Sequence, residues 1–360
     1  MKVAVVGAGL SGLAVAYGRA RRGDTVRLFE RESRTGGQLF TRRENGFVVE
    51  YGAEGFVAGS SAVPALASEL GVLDELREQR IKLSYGFDGR ALTALAPGDA
   101  ARFLGFQVKS DELGRGVRTF ERGMQSLTDA LTDALTEQLP DQVSLELGRG
   151  VRALELRGSL VRMTLEDGEV SEFDAVVLAS NARHASSLLA AEVGAAAEAL
   201  VASETLSNVS VSLAYRARDV GHALDASGFV VALAAQEDGL RAGSFSSSKF
   251  ENRAPAEHAL VRLFFRPKAG ELTALDDAAW VERAVRGLER IFPLHSSPLH
   301  SWVSRWDRAL PVSDAAHAAR VEQLEQALAS RRIWLCGSAF HGSGIDAAVR
   351  SAARTIESLG

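Results

Sequence analysis

A glycine-rich turn near the N-terminus constrains the fold of this chain more than any other feature. The turn Gly7-Ala8-Gly9-Leu10-Ser11-Gly12 follows an apolar run at residues 2–7, and residues 13–22 then have helical spacing. Residues 25–30 form a second apolar run, so the pattern predicts a strand, a helix and another strand. A GxGxxG turn between such a strand and helix is typical of a dinucleotide-binding βαβ unit.

The glycines and one acidic residue of this unit suit a dinucleotide. Gly7 permits the tight turn, Gly9 lets the backbone approach a pyrophosphate, and Gly12 lets helix and strand pack closely. The start of the helix adds free N–H groups and the positive end of the helix dipole. Glu30 ends the second strand, where it is expected to accept hydrogen bonds from the adenosine ribose.

A second pair of glycines, Gly36 and Gly37, follows the βαβ unit. Adjacent glycines let a loop pass close to a pyrophosphate, where a side chain would collide. From Glu30 and Arg31 to this pair, the segment resembles the E-x(5)-GG motif of the FAD-dependent amine oxidase superfamily. The resemblance implies an FAD cofactor rather than a nicotinamide.

The residues after the glycine pair both depart from and match that superfamily. Its members usually place an arginine directly after the pair to neutralise phosphate, whereas this chain has Gln38, which leaves Arg42 or Arg43 as substitutes. Residues 46–56 resemble the stretch that passes beside the isoalloxazine ring. The cofactor-binding residues that the resemblance implies there are Gly52, Ala53 and Glu54.

Later segments resemble protoporphyrinogen oxidase, the oxygen-dependent enzyme of haem synthesis, and they occur in the same order. They are residues 228–231, 246–255, 305–306 with 309–311, and 336–338 with 342–350. The resemblance implies that the backbone of Val151 contacts adenine. It also implies that the C-terminal glycine turn and the helix after it meet the flavin pyrimidine. The residues concerned are Gly337, Ser338, Gly344, Ile345 and Ala348.

Two departures from these families bear on the activity. Protoporphyrinogen oxidases carry a long helical insertion that binds membrane and walls the substrate cavity, but here only residues 56–117 separate the matching flanks. The length and layout instead resemble renalase, which oxidises misreduced nicotinamide dinucleotides. The lysine that monoamine and polyamine oxidases hold near flavin N5 aligns with Ser210, a departure shared with the porphyrinogen branch.

Two further residues are candidates for donor binding. In the porphyrinogen family a strand and turn like residues 81–90 bring a basic side chain to the substrate carboxylate, and here that side chain is Lys82. Phe229 on the opposite sheet is expected to form an apolar wall for a flat ring. The alternative for Lys82 is a solvated position on an edge strand, where lysine is common.

Composition argues against several other functions. The 41 Lys and Arg residues face 46 Asp and Glu, a net charge of −5, which offers nucleic acid or anionic lipid no attraction. The seven histidines lack the spacing of a metal site, and Cys336 is expected to be an inert core thiol. No apolar run approaches the roughly 20 residues that cross a bilayer. We therefore expect a cytoplasmic protein without membrane partners. The apolar residues 103–106 are expected to belong to a small packed lid rather than to a membrane anchor.

The predicted fold is α/β, a two-domain FAD-binding fold. A Rossmann-like GxGxxG domain comprises residues 1–60, 118–200 and 325–360, because an apolar strand at 333–337 is expected to return to the first sheet. An inserted substrate domain with an antiparallel sheet and a shortened helical lid comprises residues 61–117 and 201–324.

The predicted activity is that of an FAD-dependent oxidoreductase with noncovalent FAD. A ring-type small-molecule donor would give a hydride to flavin N5, and oxygen would be the acceptor. Two alternatives stay open: a renalase-like oxidase of reduced nicotinamide dinucleotides, and a flavin-bound protein with a binding or assembly role and little turnover. The sequence does not identify a catalytic acid, base or nucleophile.

Overall fold

A computed structural model describes residues 1–96, 99–100 and 115–360, so the predicted lid at 103–106 lies outside the described residues. Its strands are β1 (Lys2–Val6), β2 (Thr25–Glu30), β3 (Thr41–Glu44), β4 (Phe47–Glu50), β5 (Phe56–Val57), β6 (Leu76–Glu78), β7 (Ser84–Phe87), β8 (Leu92–Leu95), β9 (Val117–Phe120), β10 (Val143–Leu147), β11 (Val151–Arg157), β12 (Leu160–Leu165), β13 (Val170–Phe173), β14 (Ala175–Leu178), β15 (Thr205–Arg216), β16 (Gly228–Val231), β17 (Leu240–Phe245), β18 (His258–Phe265), β19 (His300–Pro311) and β20 (Ile333–Leu335). Its helices are α1 (Leu10–Ala20), α2 (Ala62–Glu69), α3 (Gln125–Asp133), α4 (Ala182–Val201), α5 (Ser246–Lys249), α6 (Glu271–Ala274), α7 (Asp277–Glu289), α8 (Ala315–Leu328) and α9 (Ile345–Ser358).

The first sheet is parallel, with the strand order β10-β2-β1-β14-β20. Its central strands are apolar runs buried on both faces, as expected where helices cover a parallel sheet. Helices α1, α2, α3 and α9 pack on one face, and the antiparallel meander β11-β12-β13 with α4 and α8 covers the other. Strand β20 pairs with β14, which confirms the predicted return of the chain to this sheet.

The second sheet has the order β19-β15-β18-β17-β16-β7-β8. It is antiparallel except that β16 and β7 pair in parallel, because residues 84–95 join it as a hairpin from an earlier part of the chain. One face is apolar and packs on α7 through Trp280, Ala284 and Leu288. The other face carries polar side chains and lies against the segment that follows β4.

The predicted α/β fold, with a Rossmann-like unit and a second sheet, is confirmed. Two elements lie where the predicted domain division does not place them. Helix α2 buries Val63 and Ala67 in the core of the first sheet, and α8 buries Val321 and Leu324 against its other face. The exact boundaries between the two domains stay a prediction.

Candidate functional site

The turn between β1 and α1 leaves no room for side chains. Gly7 has a φ of +104°, and a Cβ atom there would lie 2.7 Å from the carbonyl oxygen of Ala179. A Cβ on Gly12 would lie 1.8 Å from the carbonyl oxygen of Gly7. Helix α1 starts after Gly9, which has no side chain to cap the free N–H groups of the first turn. These groups are available to a phosphate.

The second glycine loop lies directly against this turn. The Gly36 N–H donates to the carbonyl oxygen of Ala8 over 2.8 Å, and Gly36 pairs with Gly9 in a parallel bridge. Gly36 and Gly37 have φ values of +94° and +55°. A Cβ on Gly37 would be 3.1 Å from the Cα of Gly9. The two loops therefore form one cradle of bare backbone, which fits the pyrophosphate of a dinucleotide.

Glu30 is fixed beside the cradle at the end of β2. Its carboxylate accepts hydrogen bonds from the N–H groups of Ala8 (2.8 Å) and Glu32 (2.9 Å). The Arg149 N–H donates to the Glu30 carbonyl oxygen over 2.8 Å, which brings the start of β11 to the same edge. Val151 is the first residue of that strand. The predicted ribose and adenine positions are thus neighbours, while their contacts to a cofactor remain predictions.

The predicted substitutes for a phosphate-binding arginine have other partners. The Gln38 amide donates to a backbone carbonyl of β19 over 3.0 Å. Arg42 pairs with Glu44 at 2.9 Å on its own strand, and Arg43 donates to the carbonyl oxygen of Arg122 over 2.7 Å. Neither arginine is held toward the cradle by these contacts.

Arg34, which the sequence reasoning did not select, lies beside the cradle instead. Its Nη2 donates to the carbonyl oxygen of Gly37 over 3.0 Å, and its guanidinium lies 4.3 Å from the ring centre of Phe40. Burial lowers the pKa of Arg34, although Glu30 acts in the opposite direction. Its place within the E-x(5)-GG motif was the available signal. Arg31, by contrast, pairs with an exposed carboxylate, that of Glu166.

The segment after β4 connects the cradle to the second sheet. A Cβ on Gly52 would lie 1.6 Å from the carbonyl oxygen of Gln38, so the two backbones touch there. The carbonyl oxygen of Tyr51 accepts hydrogen bonds from Ser304 Oγ and Trp306 Nε1, each 2.6 Å long. Ala53 is half-buried and packs on the core of the first sheet. The predicted ring-contacting segment therefore lies between the two sheets.

Glu54 is an anion held by three side chains of the second sheet and its following turn. Its carboxylate accepts hydrogen bonds from Ser246 Oγ (2.6 Å), Ser244 Oγ (2.8 Å) and Lys249 Nζ (2.9 Å). Burial opposes ionisation, but the charges of Lys249 and Arg262 and the bond from Ser246 outweigh it. The pKa of Glu54 is lowered to about 2.

A second buried carboxylate lies at the end of β4. Glu50 accepts hydrogen bonds from the Met124 N–H (2.8 Å) and Thr41 Oγ1 (2.7 Å). Arg253 Nη1 lies 3.4 Å from it, and this arginine is only 1% exposed. Burial raises the pKa of Glu50, while the charge of Arg253 opposes that rise.

Ser210 lies on the polar face of the second sheet and is bound by an arginine that the sequence reasoning missed. Arg262 Nη2 donates to Ser210 Oγ over 2.9 Å, and both residues are 2% exposed. Among the described residues, Arg262 Nε and Nη1 have no hydrogen-bond partner. Burial lowers the pKa of Arg262, while Glu54 and Glu50 oppose this. An arginine in the apolar run of β18 was the available signal.

The three predicted donor-binding residues do not come together. Ser210 faces the segment after β4, whereas Phe229 is 2% exposed in the core on the opposite face, 5.9 Å from the ring centre of Phe245. Phe229 therefore has no free ring face at the site. Lys82 is exposed in the loop before β7 rather than on a strand. Its contact with a donor stays a prediction.

The C-terminal glycine turn lies against the start of α1. Gly337 has a φ of +106°, and its N–H donates to Ser351 Oγ over 2.8 Å. Ser11 Oγ donates to the carbonyl oxygen of Ala348 over 3.2 Å, which joins α1 to α9. Helix α9 starts after Gly344, whose φ is +99°, and its first N–H groups have no side-chain cap. The predicted residues Ser338 and Ile345 lie in this turn and at the first position of α9.

Cys336 lies directly before this turn and is 1% exposed. Burial raises the pKa of its thiol to about 11. A reactive cysteine needs an accessible thiolate, so this burial supports an inert core thiol, which stays a prediction.

Comparison with known families decides the class of protein. Residues 77–356 match the family described as flavin containing amine oxidoreductase, and residues 5–70 match the NAD(P)-binding Rossmann-like domain. The chain belongs to the flavin-containing amine oxidoreductase family. This flavin-family member is therefore a flavin-dependent oxidoreductase, and the predicted class of enzyme is confirmed.

Curated relatives of this flavin oxidoreductase include coproporphyrinogen III oxidases of several bacteria. That of Mycobacterium tuberculosis (strain ATCC 25618 / H37Rv) is 28% identical, and the match covers 99% of this chain and 96% of the relative. The alignment has 448 positions, more than the 360 residues of this chain, so the relative contains segments without a counterpart here. That of Propionibacterium freudenreichii is 32% identical over 197 residues, 54% of this chain and 37% of the relative.

Solved structures share the fold. A provisionally named protoporphyrinogen oxidase from Exiguobacterium sp. 255-15 superposes with a TM-score of 0.84 at 21% identity, covering 99% of this chain and 98% of that one. Wild-type putrescine oxidase bound to putrescine gives a TM-score of 0.71 at 16% identity, covering 100% and 99%. At these identities the likeness concerns the fold alone.

Membrane-spanning helices and metal-binding groups are both absent from the described ranges. None of the helices there combines the length and apolar character needed to cross a bilayer. In the same ranges, no three His, Cys, Asp or Glu side chains are grouped so that they could hold a metal ion.

Proposed function

We propose that this protein is a noncovalent FAD enzyme that oxidises a porphyrinogen-type donor with oxygen as the acceptor. The observation that carries the proposal is the whole-length similarity to the coproporphyrinogen III oxidase of Mycobacterium tuberculosis. Ser210 supports it, because this position aligns with the lysine that monoamine and polyamine oxidases hold near flavin N5.

The chain offers a place for each part of FAD. The bare backbone around Gly9 and Gly37, with the free N–H groups of α1, suits the pyrophosphate. Glu30 would accept from the ribose, and the backbone of Val151 would contact adenine. The uncapped start of α9 after Gly344 would face the pyrimidine end of the ring. Noncovalent binding is supported by Cys336, whose buried thiol is behind the turn rather than open to the site.

The flavin, when bound, supplies the hydride acceptor at N5 and the route for electrons to oxygen. The chain's own residues bind and orient the donor and exclude water. Ser210 Oγ accepts a hydrogen bond from Arg262, and its hydroxyl can still donate one hydrogen bond. Ser210 has no amine that could take up a proton.

Lys82 is the proposed contact for a carboxylate of the donor. It is exposed, and among the described residues its ammonium group forms no ion pair within 4.0 Å. A lysine acts on a carboxylate as a point charge. Phe229 contributes to the core beneath the second sheet and has no part in this proposal.

The test mixes the oxidised holoenzyme, without oxygen, with porphyrinogens carrying two or four carboxylates and with a dihydronicotinamide dinucleotide. We expect the porphyrinogens to bleach the visible flavin absorbance, and we expect peroxide when oxygen is admitted. Lys82→Ala should raise KM roughly tenfold with little change in kcat, as expected for lost uniform binding. Lys268→Ala removes another exposed lysine and should change neither constant.

Two outcomes would contradict the proposal. Faster bleaching by the dinucleotide would favour a renalase-like oxidase. Bleaching by none of the donors, with FAD retained, would favour a binding or assembly role. Titration of the oxidised enzyme with a porphyrin dicarboxylate gives a second readout, because a bound porphyrin should perturb the flavin spectrum. Lys82→Ala should bind the porphyrin less tightly than the wild type.

A further inference from the structure

We propose that Arg262 supplies a buried positive charge that stabilises negative charge on the flavin ring, and that Ser210 holds its guanidinium in place. The proposal rests on flavin binding as described above, but it does not depend on which donor is oxidised. Ser210 stands at the position that resembles the lysine site of monoamine and polyamine oxidases.

The first argument is the balance of buried charge. Five ionisable side chains lie where the segment after β4 meets the second sheet, and three of them are cations. Each carboxylate has its own cation: Lys249 Nζ is 2.9 Å from Glu54, and Arg253 Nη1 is 3.4 Å from Glu50. Arg262 has no carboxylate within 4.0 Å among the described residues, although it is influenced at longer range by both glutamates.

An uncompensated buried cation is costly. Removing a charged group from water costs several kcal/mol unless a partner of opposite charge is present. Arg262 is 2% exposed, and its Nε and Nη1 have no partner in the described parts of the chain. A site that retains such a group is suited to an anion that the chain itself does not supply. A flavin that has gained two electrons carries such a charge.

The second argument is position. Ser210 lies opposite Ser304 on β19, and Ser304 donates to the carbonyl oxygen of Tyr51. Gly52 follows directly, and a Cβ there would lie 1.6 Å from the carbonyl oxygen of Gln38. Arg262 is therefore bonded to β15, and the neighbouring strand β19 contacts the segment that resembles the ring-contacting stretch of the family. The ring of Phe264, with its centre 4.8 Å from the guanidinium carbon, supports it from one side.

Sulfite is the probe for this charge. Its sulfur lone pair forms a bond to the oxidised flavin ring without any external oxidant, the ring takes up a negative charge, and the visible absorbance bleaches. We expect the wild-type holoenzyme to form this adduct. Arg262→Met should weaken sulfite binding at least roughly tenfold, while Arg262→Lys, which keeps the charge, should stay within about threefold. The midpoint potential of the flavin should fall in Arg262→Met.

Arg283→Met is the matched control. Arg283 lies on α7, pairs with Glu271 at 3.1 Å and packs 4.6 Å from the ring centre of Trp280, on the apolar side of the same sheet. Its loss should leave sulfite binding unchanged. Flavin content and circular dichroism are measured for each variant, so that loss of cofactor is distinguished from loss of charge.

Variants at Ser210 keep the proposal testable if Arg262→Met does not fold. Ser210→Asp would place a carboxylate beside Arg262 and should weaken sulfite binding as strongly as Arg262→Met. Ser210→Ala keeps the charge but removes the bond that positions the guanidinium, so it should weaken sulfite binding measurably and less than Ser210→Asp does. Wild-type sulfite affinity in a flavin-loaded Arg262→Met or Ser210→Asp would overturn the proposal, and so would a wild-type enzyme that forms no adduct. None of these readouts uses a porphyrinogen.

Discussion

Glu30 serves both the backbone and the expected cofactor. Its two carboxylate oxygens each accept a backbone N–H, from Ala8 and from Glu32, and so fix the glycine turn to the end of β2. An ionised carboxylate can accept about four hydrogen bonds, so two lone-pair positions remain for ribose hydroxyls. The same side chain can therefore shape the cradle and bind within it.

Replacing this side chain should weaken cofactor binding. Glu30→Ala removes the charge-assisted bonds, which contribute about 1.5–3 kcal/mol each, and should raise the Kd for FAD at least roughly tenfold. Glu32→Ala is the control, because only the backbone N–H of Glu32 is used here. Quenching of flavin fluorescence on rebinding to apoprotein measures both values. Equal FAD affinity in the two variants would show that the ribose contact is elsewhere.

Local patterns indicate the neighbourhood of a residue only where its partners are near in sequence. The glycine turn and Glu30 belong to one βαβ unit, so their spacing already fixes their neighbourhood. Arg262 is different, because its partner Ser210 is 52 residues away on another strand. Phe229, by contrast, was selected as a donor-binding residue although the alternation of a strand does not reveal which of its faces meets the site. Its apolar neighbours and α7 decide that.

At the scale of the elements, the loop that contains Gly52 passes very close to the backbone of Gln38. A Cβ at this position would lie 1.6 Å from the Gln38 carbonyl oxygen, far inside contact distance. Backbone atoms cannot give way as the end of a flexible side chain can. The loop would have to leave the cradle to accommodate any other residue.

Gly52→Ala should therefore destabilise the protein and release FAD. We expect a loss of at least 2 kcal/mol in the free energy of unfolding, in the range of severe overpacking. Gly194→Ala is the matched control, since a Cβ there meets no other part of the described chain within 4 Å and the residue is in α4. It should be neutral or stabilise by up to about 1 kcal/mol. Urea unfolding followed by flavin fluorescence measures both. If Gly52→Ala unfolded like the control, the close approach would be wrong.

Buried elements were predicted more accurately than exposed ones. The bounds of β2 agree with the apolar run at residues 25–30, because a short apolar run between turns is distinctive. Helix α4 was missed although Asn181 caps it, since its alanine-rich sequence shows weak amphipathic contrast and a kink at Val193 interrupts it. Strand β19 was missed because it lies at the edge of the second sheet and carries many polar residues.

At the scale of the whole molecule, Glu54 joins the two halves of the site. It belongs to the segment beside the cradle, and its three partners belong to β17 and α5 at the second sheet. With its pKa lowered to about 2, it stays an anion at any physiological pH. The contact between the two sheets thus depends on a charge that ordinary titration does not remove.

This arrangement predicts a specific acid sensitivity. A depressed pKa contributes stability above the ordinary value of 4.5, and that contribution is lost as pH falls toward 2. The stabilisation is roughly 3 kcal/mol at neutral pH. The unfolding free energies of wild type and Glu54→Gln should therefore differ most near neutral pH and converge below pH 4.5. Glu251→Gln, at an exposed site, should differ from wild type by less than about 0.5 kcal/mol throughout. A gap for Glu54→Gln that ignores pH would contradict the assignment.

The hydrogen bond from Ser11 to Ala348 joins residues 337 positions apart. A ribosome releases the first of them long before the second, at about 5–20 residues per second. During that interval α1 lacks the neighbour that covers one side of its first turn, and the glycine turn at Gly337 does not yet exist. We therefore expect the proposed cofactor site to be complete only after residues 337–348 have been synthesised.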